Sequence, residues 1–66
     1  MVKPETREEI ARRLVAEAEV MVTRQQELVA AFEADGRNSK LAEELLDRFE
    51  TALENFRRTL ALLRPP

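Results

Sequence analysis

The stretch Phe32-Glu33-Ala34-Asp35-Gly36-Arg37-Asn38-Ser39-Lys40 decides the fold, because it stops one helix and starts another within a few residues. Gly36 is the only glycine of the chain and can take the left-handed conformation that ends a helix without steric cost. Two residues later, either Asn38 or Ser39 can cap a second helix by offering a side-chain oxygen to a free backbone amide. A connection of about four residues between two long helices leaves them no choice but to lie antiparallel as neighbours.

Upstream of this turn, Thr6 and Glu9 match the capping-box spacing, and Pro4 is tolerated in a first helical turn, so the first helix starts between Pro4 and Arg7. It is expected to run to Ala34 or Asp35, about 5–34. Downstream, unbroken helical periodicity carries the second helix over about 39–63, until Pro65-Pro66 forbids continuation. Both segments read as bundle helices. In heptad notation the a and d positions of the first are Ala11, Leu14, Ala18, Met21, Gln25, Leu28 and Phe32, with only Gln25 polar. Those of the second are Ala42, Leu45, Phe49, Ala52, Phe56, Thr59 and Leu63. Folding back about Gly36 sets large against small: Phe32 faces Ala42, Met21 faces Ala52, Ala18 faces Phe56 and Ala11 faces Leu63. A register shifted by one turn, with Met21 against Phe56 and Leu28 against Phe49, is the competing solution.

The e positions add Val15, Val22 and Val29 on one helix and Leu46, Leu53 and Leu60 on the other, so each apolar face is wider than a two-stranded contact needs. Left in water, each of these six side chains forgoes roughly 1.5–3 kcal/mol. They are therefore expected to form a dimer interface, closing two hairpins into a four-helix bundle. Size points the same way. A chain of 66 residues is one domain, residues 1–66, with a marginal core, and with neither Cys nor His it has no disulfide or soft-metal staple. The fold class is all-α: an antiparallel two-helix hairpin that dimerises.

Function is much less legible. Eleven basic and thirteen acidic residues give a net charge of −2 with both signs interspersed, so no overall field draws in nucleic acid or an anionic membrane. No apolar run is long enough for a signal peptide or a membrane span, which makes a cytoplasmic protein the expectation. Arg12-Arg13 and Arg57-Arg58 invite a nucleic-acid reading, but acidic neighbours dilute them, and the three Phe sit on the seam where no base can stack on them. Glu43, Glu44 and Asp47 are the nearest approach to an acid-base cluster, and without His, Cys or Tyr they read as solvated charge, so the chain is not expected to be an enzyme. No cofactor is implied. Charge pairs four apart, Glu8 with Arg12, Glu9 with Arg13, Glu44 with Arg48 and Glu54 with Arg58, are expected on the solvated faces.

Two features compete for a functional meaning. Gln25 is either a buried polar layer that fixes register and oligomer state or a side chain that reaches the bundle rim. Ala16, Val20, Thr23, Ala30 and Ala34 form a stripe of small residues on the outer face of the first helix, either a partner surface or simply good helix formers facing water.

The run Arg24-Gln25, Leu28-Val29, Asp35-Gly36, Leu45-Leu46, Phe49-Glu50, Leu53 and Leu60 resembles a group of short proteobacterial helical-hairpin proteins of uncharacterised function. The overall plan is also similar to the Rop-type plasmid copy-number regulators, hairpins that dimerise into a bundle and bind paired RNA loops, although no motif corresponds residue by residue. The first likeness implies a fold; the second implies a bundle and, by analogy alone, a nucleic-acid partner. The expectation that results is a non-enzymatic homodimeric interaction or scaffolding module. A Rop-like nucleic-acid-binding bundle is one alternative, and an antitoxin-like or adaptor protein that folds fully with a protein partner is the other.

Overall fold

A computed structural model describes residues 3–64. The chain folds into two helices, α1 (Arg7–Ala34) and α2 (Lys40–Leu63), packed against each other. Thr6 is the N-cap of α1, and the capping box is complete: the Glu9 amide donates to Thr6 Oγ1 at 3.1 Å, while the Thr6 amide donates to Glu9 Oε1 at 3.3 Å. A cap of this kind contributes about 1 kcal/mol. Pro4 lies outside the helix, two residues before the cap, rather than in its first turn.

At the other end of α1 the backbone closes a Schellman motif. Gly36 has φ 69°, its amide donates to the Glu33 carbonyl at 3.1 Å, and the Arg37 amide reaches back to the Phe32 carbonyl at 2.8 Å. Of the two candidate caps for α2, Asn38 supplies the side chain, its Oδ1 accepting from the Lys40 amide at 2.9 Å. Ser39 occupies the cap position without a side-chain bond and contributes its carbonyl to the Glu43 amide. The turn thus spans residues 35–39. Arg64, which precedes Pro65 in the sequence, is extended at ψ 137°, the conformation that a following proline favours.

The register follows the large-to-small matching. Leu53 packs with Ala18 and Val22, Ala11 and Leu14 share a cleft with Thr59 and Leu63, and Met21 shares one with Ala52. The buried residues are Ala11, Ala18, Val22, Gln25 and Val29 of α1 with Ala42, Leu53 and Leu60 of α2. These are a and e positions. Each helix is therefore turned so that its a and e rows, not its a and d rows, meet the neighbour. Alanine at Ala11, Ala18 and Ala42 explains the choice, since small side chains let the backbones approach while Val and Leu from the e rows fill the space beside them.

This rotation corrects the expected interface. Val22, Val29, Leu53 and Leu60, assigned by the sequence to a second molecule, are buried between the hairpin's own helices. Val15 and Leu46 are half-buried and packed against that core, so none of the six stands free. Apart from Val20 on the outer face, the large apolar residues that remain open lie on the d side instead.

Candidate interaction face

Ile10, Met21, Leu28, Leu45 and Leu63 are exposed on that side, and Leu14, Phe49 and Phe56 are half-buried beside them. At the centre of this face is an apolar cleft lined by Leu14, Glu17, Ala18, Met21, Phe49, Ala52 and Phe56. The face follows directly from the packing of the hairpin: once the helices meet through their a and e rows, the d residues Met21, Leu28 and Leu45 are left open, with Phe49 and Phe56 from the a row of α2 half-buried beside them. Apart from Ile10, periodicity marked each of these side chains as apolar seam; only the helix rotation says which side of the seam meets water.

The dimensions of the molecule make the same point. Its principal extents are 50 × 29 × 14 Å, and the short one is close to the ~10–12 Å diameter of a single helix. Globular domains bury an apolar face between two packed layers, and the hairpin supplies one. Its accessible surface is 5543 Å², against roughly 4,300 Å² for a compact monomer of its 7.6 kDa mass. The excess of about 1,200 Å² exceeds the ~800 Å² per partner of a standard protein interface.

Gln25 is buried, at 8% exposure, and its Nε2 donates to the carbonyl of Ala42 on the other helix at 2.9 Å. It forms a polar layer of the core rather than reaching the rim. The sequence left this open because Arg24 and Gln26 beside it suggested a wet position; both are exposed while Gln25 points inward. Replacing Gln25 with Leu removes the bond but leaves the Ala42 carbonyl free to serve its own helix. Gln25→Leu is therefore expected to melt no lower than the parent, and Gln25→Ala, which leaves a void, lower by several degrees. Thermal scans by circular dichroism read both.

Charges are distributed on the remaining faces. Arg12 pairs with Glu8 at 2.6 Å and Arg58 with Glu54 at 3.4 Å, as their spacing predicted. Arg13 instead pairs with Glu5 at 3.4 Å, because Glu9 is engaged in the capping box, and the expected Glu44–Arg48 pair is not among those formed by the described residues. One bridge was invisible to local spacing: Arg57 of α2 reaches Glu19 of α1 at 3.2 Å, a pairing set by the fold. All are solvent-exposed and contribute at most tenths of a kcal/mol to ~1 kcal/mol. Glu43, Glu44 and Asp47 are exposed.

The small-residue stripe of Ala16, Val20, Thr23, Ala30 and Ala34 is exposed along its length. Around Ala16, Val20 and Thr23 it forms a shallow depression whose other walls are Glu19, Arg24 and Glu27. Charge borders it closely, in contrast to the almost wholly apolar cleft on the d side. Among the described residues no helix is long and apolar enough to cross a membrane.

The fold and its open face define an all-helical hairpin one layer thick, with a polar layer in its seam and an uncovered apolar side. Comparison of the chain with protein families, with curated proteins and with solved structures yields no match. Of the architecture that the two expected likenesses imply, the structure shows the two-helix hairpin.

Proposed function

We propose that this chain is a non-enzymatic interaction or scaffolding module that works as a homodimer, two hairpins closing face to face into a four-helix bundle in the cytoplasm. One observation carries the reading: a hairpin a single helix layer thick exposes large apolar side chains along one side of both helices, Ile10, Met21 and Leu28 on α1 and Leu45 and Leu63 on α2. Among the described residues no large side chain falls below 2% exposure, so even the best-covered positions lack the full enclosure that a second layer supplies. A second copy is the occupant because it offers an apolar face of the same size and needs no further component.

The nucleic-acid alternative draws no support from the arginines on which it depends. Arg12, Arg13, Arg57 and Arg58 each sit on a carboxylate, which dilutes the basic face that phosphate binding requires.

Sedimentation equilibrium over nanomolar to high micromolar concentration tests the proposal, together with thermal melts across the same range. A reversible monomer–dimer equilibrium with a melting temperature that rises with concentration is the expected result. A folded monomer at every concentration overturns it. So does a chain that stays molten alone and becomes fully helical only with a different protein, the behaviour of an adaptor or antitoxin-like protein.

A further inference from the structure

The orientation of the two hairpins follows from the charges that border the open face. The inference rests on the homodimer reading above. Beside the d rows, on the outer edge of the cleft, are the g positions: Ile10, Glu17, Arg24 and Ala31 on α1, and Leu41, Arg48, Asn55 and Leu62 on α2. Glu17, Arg24 and Arg48 are exposed and form no salt bridge with the described residues, unlike Arg12, Arg13, Arg57 and Arg58. Leu41 and Leu62, at 71% and 81%, are the most exposed large apolar side chains of the described chain.

We infer that the second copy docks with its α1 antiparallel on α1 and its α2 antiparallel on α2, the two turns at opposite ends and the twofold axis passing between Met21 and Ala52. Both residues line the same central cleft, so one axis can pass by both. About Met21, the α1 face is self-complementary. Leu14 meets Leu28 of the second copy, Ile10 meets Ala31, and Glu17 meets Arg24, each pairing occurring twice by symmetry. About Ala52, the α2 face is as well matched: Phe49 meets Phe56 of the second copy, Arg48 meets Asn55, and Leu41 meets Leu62. The two side chains that the hairpin leaves most exposed thus cover each other.

The other face-to-face arrangement has a twofold axis parallel to the helices, which puts α1 on α2 of the second copy with both turns at one end. Residues at equal height then meet, and Arg24 falls against Arg48, a like-charge contact repeated twice, while Glu17 faces uncharged Asn55. Opposite charges across an interface fix orientation, and like charges exclude the wrong one.

Charge substitutions separate the two arrangements by sign, and they lie on exposed positions, so the hairpin stays intact. In the inferred dimer Arg24→Glu sets Glu against Glu17 and is expected to weaken dimerisation roughly tenfold at low salt, with Glu17→Arg/Arg24→Glu restoring it. In the alternative, Arg24→Glu faces Arg48 and tightens the dimer, which overturns the inference. A covalent readout accompanies it: Met21→Cys alone, treated with a short bis-maleimide, is expected to give crosslinked dimer. If crosslinks form only in a mixture of Met21→Cys and Ala52→Cys chains, or in neither, the inference falls. Unsubstituted protein that sediments as a monomer instead removes the homodimer reading itself, so the two failures are distinguishable.

Discussion

Leu53→Ala is expected to lower the thermal midpoint of the hairpin by roughly 15 °C or more, the largest effect of any single truncation in the chain. Leu53 is 8% exposed and packs with Ala18 and Val22, with Val15, Leu46, Phe49 and Phe56 around it. Three of those contacts, Ala18, Val22 and Val15, are already small or β-branched, so the site cannot collapse into the space the isobutyl group leaves, and the cost falls in the ~2–5 kcal/mol range of buried Leu-to-Ala changes. A chain of this length has only about 3–10 kcal/mol of stability to lose. Val20→Ala is the control. Val20 is 49% exposed on the outer face, and its truncation is expected to move the midpoint by no more than a few degrees. A Leu53→Ala protein that melts with the parent would mean that the core is not centred between Leu53 and the Ala18–Val22 turn.

Met21→Glu acts on the open side of α1 and is expected to weaken self-association at least a hundredfold. Within the hairpin Met21 is 46% exposed, so a carboxylate there stays hydrated and the chain keeps its two helices. In the proposed dimer the same position lies at the centre of the closed face, where two copies of the charge are desolvated side by side, without partners. Sedimentation equilibrium reads the loss directly. Circular dichroism at matched concentration then shows whether the separated hairpin is less stable, as it must be if the dimer supplies the missing layer. A Met21→Glu chain that dimerises as tightly as the parent would place the interface elsewhere and return attention to the outer stripe at Ala16, Val20 and Thr23.

The two substitutions are informative as a pair because they exchange the roles that periodicity assigned. Read by heptads, Met21 belongs to the inner seam and Leu53 to the dimer surface. In the folded chain Leu53 is interior and Met21 is open. The heptad pattern identifies an apolar arc that spans the d, a and e positions, but an arc of three rows contains two possible seams, and the pattern is nearly indifferent between them. What breaks the tie is the size of the residues that must interlock across the neighbouring helix, a property of pairs of positions far apart in sequence. Ala11, Ala18 and Ala42 permit close approach on the e side, where Val and Leu then fit.

Features governed by local chemistry were legible without the fold. The Thr6–Glu9 capping box, the left-handed Gly36, the helix end at Ala34 and the i to i+4 pairs Glu8–Arg12 and Glu54–Arg58 each involve residues within five positions of one another. Where two local claims competed, local spacing did not rank them: Glu9 serves the cap and leaves Arg13 to Glu5, and at the start of α2 Asn38 makes the side-chain bond while Ser39 holds the cap position. Long-range choices belong to the tertiary structure. The Arg57–Glu19 bridge, the bond from Gln25 to the Ala42 carbonyl and the selection of the open face all depend on how two helices are rotated about their axes. The sequence by itself determined two capped helices, a tight turn and an apolar arc too wide for one neighbour, because those follow from backbone geometry and from a repeat of three and four. Which half of that arc is core and which half is left for a second molecule was decided only by packing, since rotating a helix by a fraction of a turn changes no local interaction but exchanges every side chain at the seam.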